Sequence, residues 1–416
     1  MHTSLSGAYR HRNTIFYVFC FILCVVVARV QEIFPFLSAL RLGALSAIFG
    51  VIILLSSGRL QYVLRLKETW LLTALWLLAA LTIPFSVWPG GSFVFCAKAL
   101  TSLLIFYLVI ACYSMDLDNC MSLARGIALC GLLLCIEIIF LCAPAISGRI
   151  KTGGALDPND LALILVCIFP FVLTLFQTGR KLEKAWSASL AVLFFAAIFI
   201  TGSRGGIIGL FFVVLASMLG QRTKLRTKAL IVGLCLVSLF FLPGSLITRF
   251  DAVWNGTDYN YSVGRIELWK KSAWLFLPHI LTGVGAGQSD TAMGFAYGPT
   301  AWRATHNIFL QVGLELGMPG LLLFTAILYS IWKNIRTGLS AVDPDRHSPL
   351  RILLMNSRIS LLGFLVCGLF LSQAYSPIVP FLLALTSNLA FIARRSGTGR
   401  KKPYRRSHLK IKQNGT

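Results

Sequence analysis

The sequence predicts an all-α polytopic membrane protein of about twelve spans. Three observations carry that prediction. The chain of 416 residues is 56% hydrophobic and only 13% charged, and its mean hydropathy of +0.77 lies outside the range of soluble domains. Its apolar residues come in runs of roughly 17–25, the length that crosses about 30 Å of hydrocarbon as helix. Its basic residues gather in alternate connections between those runs.

The spans fall near 14–30, 33–56, 69–88, 92–113, 121–143, 159–177, 185–201, 205–219, 228–243, 306–332, 352–372 and 376–393. The seventh and eighth are short and separated only by the polar turn around Ser203 and Arg204, so they also read as one interrupted helix. Orientation arbitrates. Arg59, Arg65 and Lys67 follow the second span, Arg180, Lys181 and Lys184 the sixth, Arg222, Lys224, Arg226 and Lys228 the eighth, and Lys333, Arg336, Arg346 and Arg351 the tenth. With Arg10, Arg12 and the basic tail, these place both termini and the even-numbered connections in the cytoplasm. The exception is the connection from Asp116 to Asn119, and acids count little in this rule. Merging spans seven and eight would put basic clusters on opposite faces, so twelve are kept. The first span has no small-x-small cleavage site before Arg29 and is expected to stay as an anchor.

The expected organisation is spans one to nine over 1–243, a periplasmic loop over 244–305, spans ten to twelve over 306–393, and a basic cytoplasmic tail over 394–416. The formal charge of +23 sits mostly in the cytoplasmic connections and tail, which fits positive-inside orientation and anionic headgroups rather than nucleic acid. The eleven cysteines lie in or at the ends of apolar spans, with Cys120 at a cytoplasmic edge. No CxxC pair occurs, so small buried hydrophobes explain them better than disulfides or zinc. No metal and no cofactor are expected.

Unusual residues collect on the outer side. Arg41 lies about eight residues into the second span and Lys98 about six into the fourth, roughly 9–12 Å below the surface. There a basic side chain snorkels or lines a cavity that wants positive charge. Arg204 occupies TGSRGG, where glycines let the backbone turn and a ligand approach. As a plain reading it caps the preceding helix; as a functional one, its planar fork accepts phosphate oxygens in pairs. Arg149 and Lys151 precede DPND, in which Asp157 caps a helix that starts at Pro158. That cap leaves Asn159 and the two cations unexplained.

Inside the loop an amphipathic helix is expected from about Gly264 to Leu277, with Trp269, Trp274, Phe276 and Leu277 at the membrane interface. Arg265 falls in its first turn, where a cation is electrostatically disfavoured unless it binds an anion. Arg303 lies near the end of the loop. His306 opens the tenth span, either as an interfacial polar residue or as a neutral imidazole able to accept a proton beside cations. Glu315 and Glu137 are intramembrane acids. Arg41 or Lys98 is the expected partner of Glu315, and Glu137 has none in view.

The ordered set of Arg149 with DPN at 157–159, TGSRGG at 201–206, GR-x-x-x-W at 264–269, GVGAG at 283–287 and HN-x-x-L-x-x-x-x-E-x-G at 306–317 resembles the O-antigen ligase and polymerase superfamily of bacterial inner-membrane proteins. The resemblance covers roughly 145–330 together with the span count and the large loop before a late helix. It implies a GT-C-like, metal-independent membrane glycosyltransferase. Such an enzyme moves a glycan from undecaprenyl diphosphate to an acceptor hydroxyl on the periplasmic side of the inner membrane, which in ligases belongs to the lipid A core of lipopolysaccharide. Carried over by position, Arg204 and Arg265 hold the diphosphate and His306 sits at the reacting hydroxyl. Arg149, Lys151, Asn159, Arg41, Lys98 and Arg303 complete the expected binding set.

Diphosphate leaves as an anion that arginines stabilise, so the acceptor proton needs a base and the leaving group needs no acid. A polymerase of the same superfamily, taking a second lipid-linked glycan as acceptor, is the nearest alternative. An oligosaccharyltransferase is disfavoured by the basic tail. From another class, twelve spans with basic residues suit a transporter of anions or polysaccharide. Against it stand the absence of evident repeats and the placement of the charges toward one face.

Overall fold

The computed structural model describes residues 16–33, 35–38, 40–144, 150–151, 156–219, 259–298, 301–343 and 348–397, with isolated positions between 225 and 233. Helices dominate these residues. They are α1 (Phe16–Val26), α2 (Val30–Ile33), α3 (Pro35–Ser38), α4 (Leu42–Ser56), α5 (Leu60–Leu64), α6 (Lys67–Leu81), α7 (Pro89–Tyr113), α8 (Leu117–Leu141), α9 (Pro158–Thr178) and α10 (Lys181–Ile200). They continue with α11 (Arg204–Leu219), α12 (Tyr259–Phe276), α13 (Ser289–Tyr297), α14 (Ile308–Ala341), α15 (Pro349–Gly368) and α16 (Ile378–Gly397). A two-residue antiparallel pair joins Ala143–Pro144 (β1) to Ile150–Lys151 (β2).

Seven of the described helices are long and apolar enough to cross a membrane: α7, α8, α9, α10, α14, α15 and α16. Four further expected spans fall on the shorter α1, α4, α6 and α11. The ninth, 228–243, lies outside the described residues except for isolated positions. Outward faces are apolar: Ile48, Ile52 and Leu55 of α4 and Phe211, Phe212 and Leu215 of α11 are exposed. Side chains of that kind in continuous stripes need lipid rather than water. The chain is a multi-pass membrane protein.

The second expected span is not continuous. Two short helices, α2 and α3, precede α4, and Arg41 is the residue before α4 in a left-handed conformation, φ 47°. It therefore stands at a helix end and is exposed, not buried in the middle of a span. Hydropathy averages apolarity and is blind to a break in backbone direction, which is why 33–56 reads as one run. The third span also stops early, at Leu81, and its apolar tail forms a 3₁₀ turn over Ile83–Phe85 around Pro84.

At the centre stands α9. Asp157 accepts from the amides of Asn159 (2.6 Å) and Asp160 (2.9 Å), and Asp160 returns the bond to the amide of Asp157, which closes a capping box. Proline in the first turn fits the same start. Beyond the cap the helix is buried from Leu161 to Leu175, because α8, α10, α11 and α15 surround it. Polar ties lock the bundle: Glu68 on α6 accepts from Ser330 (3.1 Å) and Asn334 (2.9 Å) on α14. Asn388 on α16 donates to the Ala111 carbonyl (2.7 Å) on α7.

Helix α14 is two helices joined at Gly317, whose φ of 69° and ψ of −170° interrupt the ladder. The second half starts with Pro319, where a proline costs no hydrogen bond. Beneath α12 and α13 a small separate core of Val284, Ala292, Met293 and Leu314 takes Leu268, Leu275 and Phe276 from α12. The opposite face of α12 shows Ile266 and Trp274 to the outside, with Leu277 just beyond its end. This is the two-sided character expected of an interfacial helix.

Candidate functional site

The first turn of α9, the start of α11, the start of α14 and the connection after α15 meet at one end of the bundle. Thr201 accepts from the Ser203 amide at 3.2 Å and the Ser203 hydroxyl accepts from the Gly206 amide at 3.1 Å, so a local hydroxyl turn launches α11 at Arg204. The glycines here are needed for closeness. A Cβ on Gly206 would lie 2.5 Å from the Cβ of Ala162 on α9, and one on Gly205 3.4 Å from that of Phe370. The Cys367 thiol also points at the Gly205 carbonyl, 3.6 Å away.

His306 reaches the same connection from the other side. Its amide donates to the Ser372 hydroxyl at 2.7 Å, and that hydroxyl lies 3.1 Å from the hydroxyl of Thr305. His306 holds φ at 51°, a left-handed conformation rare outside glycine. Asn307 then caps α14, accepting from the amides of Phe309 (2.9 Å) and Leu310 (3.1 Å). Following the chain from Gly205 through Phe370 and Ser372 to His306 bounds the separation of the two backbones at roughly 20 Å. Ser372 is the residue that reading the sequence missed. Its signal was the polar interruption SQAYSP between the last two apolar runs.

Residues 189–325 match the O-antigen ligase family. The resemblance read from the sequence is borne out over that stretch. The matched segment holds Arg204, Arg265, Arg303, His306 and Glu315, whereas Arg41, Lys98, Arg149, Lys151 and Asn159 precede it. It supports a membrane enzyme of the ligase and polymerase type, with a lipid-linked glycan and an acceptor as partners. The chain matches no curated protein.

Two motifs of the O-antigen ligase resemblance have a structural task. The glycine turn 283–287 lies along the break in α14: the amide of Val284 donates to the Leu314 carbonyl (2.9 Å), that of Gly285 to the Glu315 carbonyl (3.0 Å), and that of Gly287 to the Glu315 carboxylate (2.8 Å). Met318 completes the seam by donating to the Ile280 carbonyl at 2.7 Å. Gly285, with φ 107°, fits against the hydroxyls of Ser86 and Ser92 before and within α7, and a Cβ would collide with both. Ser92 in turn donates to the Ala286 carbonyl at 3.1 Å, and the Val87 amide to the Val284 carbonyl at 2.9 Å.

Glu315 therefore does not pair with Arg41 or Lys98. Besides Gly287 it accepts from Gln311 at 3.4 Å, and Gln311 accepts from the Ala374 amide at 3.1 Å. One backbone amide, that of Gly287, and the side-chain amide of Gln311 do what a cation was expected to do. The Tyr375 hydroxyl is buried beside this carboxylate.

Arg265 also stands differently from expectation. Helix α12 begins at Tyr259, so Arg265 is two turns inside and half-buried, and the argument from a cation at a helix start no longer applies. YNYSVG has no apolar period to mark the earlier start. Lys98 lies in a π turn of α7 and Arg303 beside Ala301, both exposed. Asn159 is buried and donates to Asp157 at 3.3 Å, which ties it to the cap. Arg149 lies outside the described residues; Lys151 is described only as backbone in β2. Among the described residues no group of three His, Cys, Asp or Glu converges as a metal ion would require.

Proposed function

We propose that the chain is an O-antigen ligase-like glycosyltransferase that moves a glycan from undecaprenyl diphosphate to a hydroxyl of the lipid A core on the periplasmic face of the bacterial inner membrane. Arg204 and Arg265 hold the diphosphate, and His306 takes the proton from the acceptor hydroxyl as its oxygen attacks the sugar carbon. The bond from that carbon to the diphosphate breaks with the electron pair leaving on phosphate oxygen, whose charge the guanidinium groups stabilise. No metal takes part in this reading. Arg303, Lys98, Arg41, Arg149, Lys151 and Asn159 are assigned to binding of the donor and acceptor.

The observation that carries the reading is the meeting of TGSRGG and THN at the connection after α15, through Gly205 on Phe370 and His306 on Ser372, inside a segment that matches the O-antigen ligase family. A turn needs no arginine, and a helix cap is already supplied by Asn307, so Arg204 and His306 have residue types that local structure does not demand.

Purified protein supplied with an undecaprenyl diphosphate-linked glycan and a lipid A-core acceptor should turn over in the presence of a chelator. His306→Ala should lower transfer by about 10²–10⁴-fold with donor binding kept. Arg204→Lys should fail as well, since a point charge does not reproduce the fork. Arrest by the chelator, or full activity of Arg204→Lys, overturns the proposal. Deleting the protein from its host separates ligase from polymerase: accumulated polymerised chains indicate the first, accumulated single repeats the second.

A further inference from the structure

At the opposite end of α14, some 30 residues or about 45 Å from His306, the bundle carries a second feature. A cavity of 640 Å³ opens between α11, α14 and α15, lined by Arg351, Arg358, Leu362 and Leu365 along one face of α15 and by Trp332 of α14. A neighbouring cavity of 350 Å³ shares Trp332, Arg351 and Arg358 and adds Arg336. Among the described residues no carboxylate lines either cavity, and none of these three arginines has a side-chain ion pair.

Depth gives the arrangement its meaning. Arg351 is in the first turn of α15 and Arg336 near the end of α14, so both stand at the mouth. Arg358 is two turns farther in, about 13 Å from the start of α15, on the same helix face as Arg351. A guanidinium at that depth costs a few kcal/mol unless an anion or water meets it. Past Arg358 the lining contributed by α15 turns apolar, with Leu361, Leu362 and Leu365, and α11 adds the apolar Ala216 and Leu219. Positive charge at the mouth, a further cation, Arg358, exposed on the helix surface two turns below, and an apolar wall beyond match the parts of a phospholipid: headgroup, phosphodiester and acyl chain. Trp332, half exposed at the rim, suits the headgroup boundary.

We infer that the cavity between α11, α14 and α15 is a binding site for an anionic diacyl phospholipid of the leaflet at the basic end, with Arg358 on the phosphodiester and Arg336 and Arg351 on the headgroup. The lipid neutralises the three arginines and fills the seam between helices.

The test uses the full chain in nanodiscs of phosphatidylcholine with a trace of spin-labelled phosphatidylglycerol or spin-labelled phosphatidylcholine, and reads the motionally restricted fraction by electron paramagnetic resonance. Wild type should prefer the anionic label. The preference should fall about fivefold in Arg358→Gln and roughly a hundredfold in the variant lacking all three arginines, while Arg358→Lys retains most of it. Equal restriction of the two labels in wild type, or an unchanged preference in the triple variant, overturns the inference. Displacement of the label by excess inorganic phosphate also overturns it, because the cavity would then read a free anion. Where the triple variant does not elute as a single species, Arg358→Gln alone decides, and an unchanged preference there is refutation.

Discussion

The seam between the glycine turn and the break in α14 makes a prediction that does not depend on the reaction. Glu315 is buried, 1% exposed, and its carboxylate takes the Gly287 amide at 2.8 Å and the Gln311 amide at 3.4 Å. Replacing it by alanine leaves both donors without an acceptor in a place water does not reach. An orphaned buried donor costs about 1–3 kcal/mol, so the two together weaken local closure by about 3 kcal/mol, a factor of roughly 100 in the opening equilibrium. Hydrogen exchange on protein in nanodiscs reads this directly. The amides of Val284, Gly285 and Gly287 should exchange roughly a hundredfold faster in Glu315→Ala, whereas those in the middle of α9 should not change. Glu315→Gln keeps one acceptor oxygen and should cost about fivefold. If Glu315→Ala leaves exchange at 284–287 as in wild type, the anchoring role is wrong.

Two further outcomes follow from the packing. Ser372→Ala should remove the acceptor that holds the His306 amide at 2.7 Å; transfer should fall by about 5–100-fold through turnover rather than donor affinity, since an amide left unpaired costs 1–3 kcal/mol. Unaltered turnover in that variant would remove Ser372 from the site. Glu68→Ala should strand Ser330 and Asn334 between α6 and α14, lowering thermal stability in detergent by about 2–3 kcal/mol. A melting temperature equal to wild type would show that this tie contributes nothing.

The sequence made most of the helices visible because apolar length is a direct consequence of spanning hydrocarbon. Eleven of the twelve expected spans coincide with described helices, and seven of these are long enough to cross. What hydropathy could not show is backbone direction: the left-handed Arg41 before α4 and the break at Gly317 lie inside runs of uniform apolarity. The Asp157 cap was legible because DPN states its own geometry. The partner of Glu315 was not, because a search for opposite charges overlooks amides, and amides carry no letter in a sequence. Ser372 was hidden for the same reason, as its contact is with backbone.

The interruption at Gly317 ties the segment 259–298 to the helix bundle as one heritable unit. Among the described residues, the carbonyls of Leu314 and Glu315 at that kink take their donors from Val284 and Gly285, and the Met318 amide finds its acceptor in Ile280. Transplanting the segment 259–305 from a relative without its own kinked helix would abandon polar backbone at membrane depth. Chimaeras that exchange this segment must therefore carry both pieces across together, with the junction placed after Pro319 rather than at the polar boundary where hydropathy invites the cut.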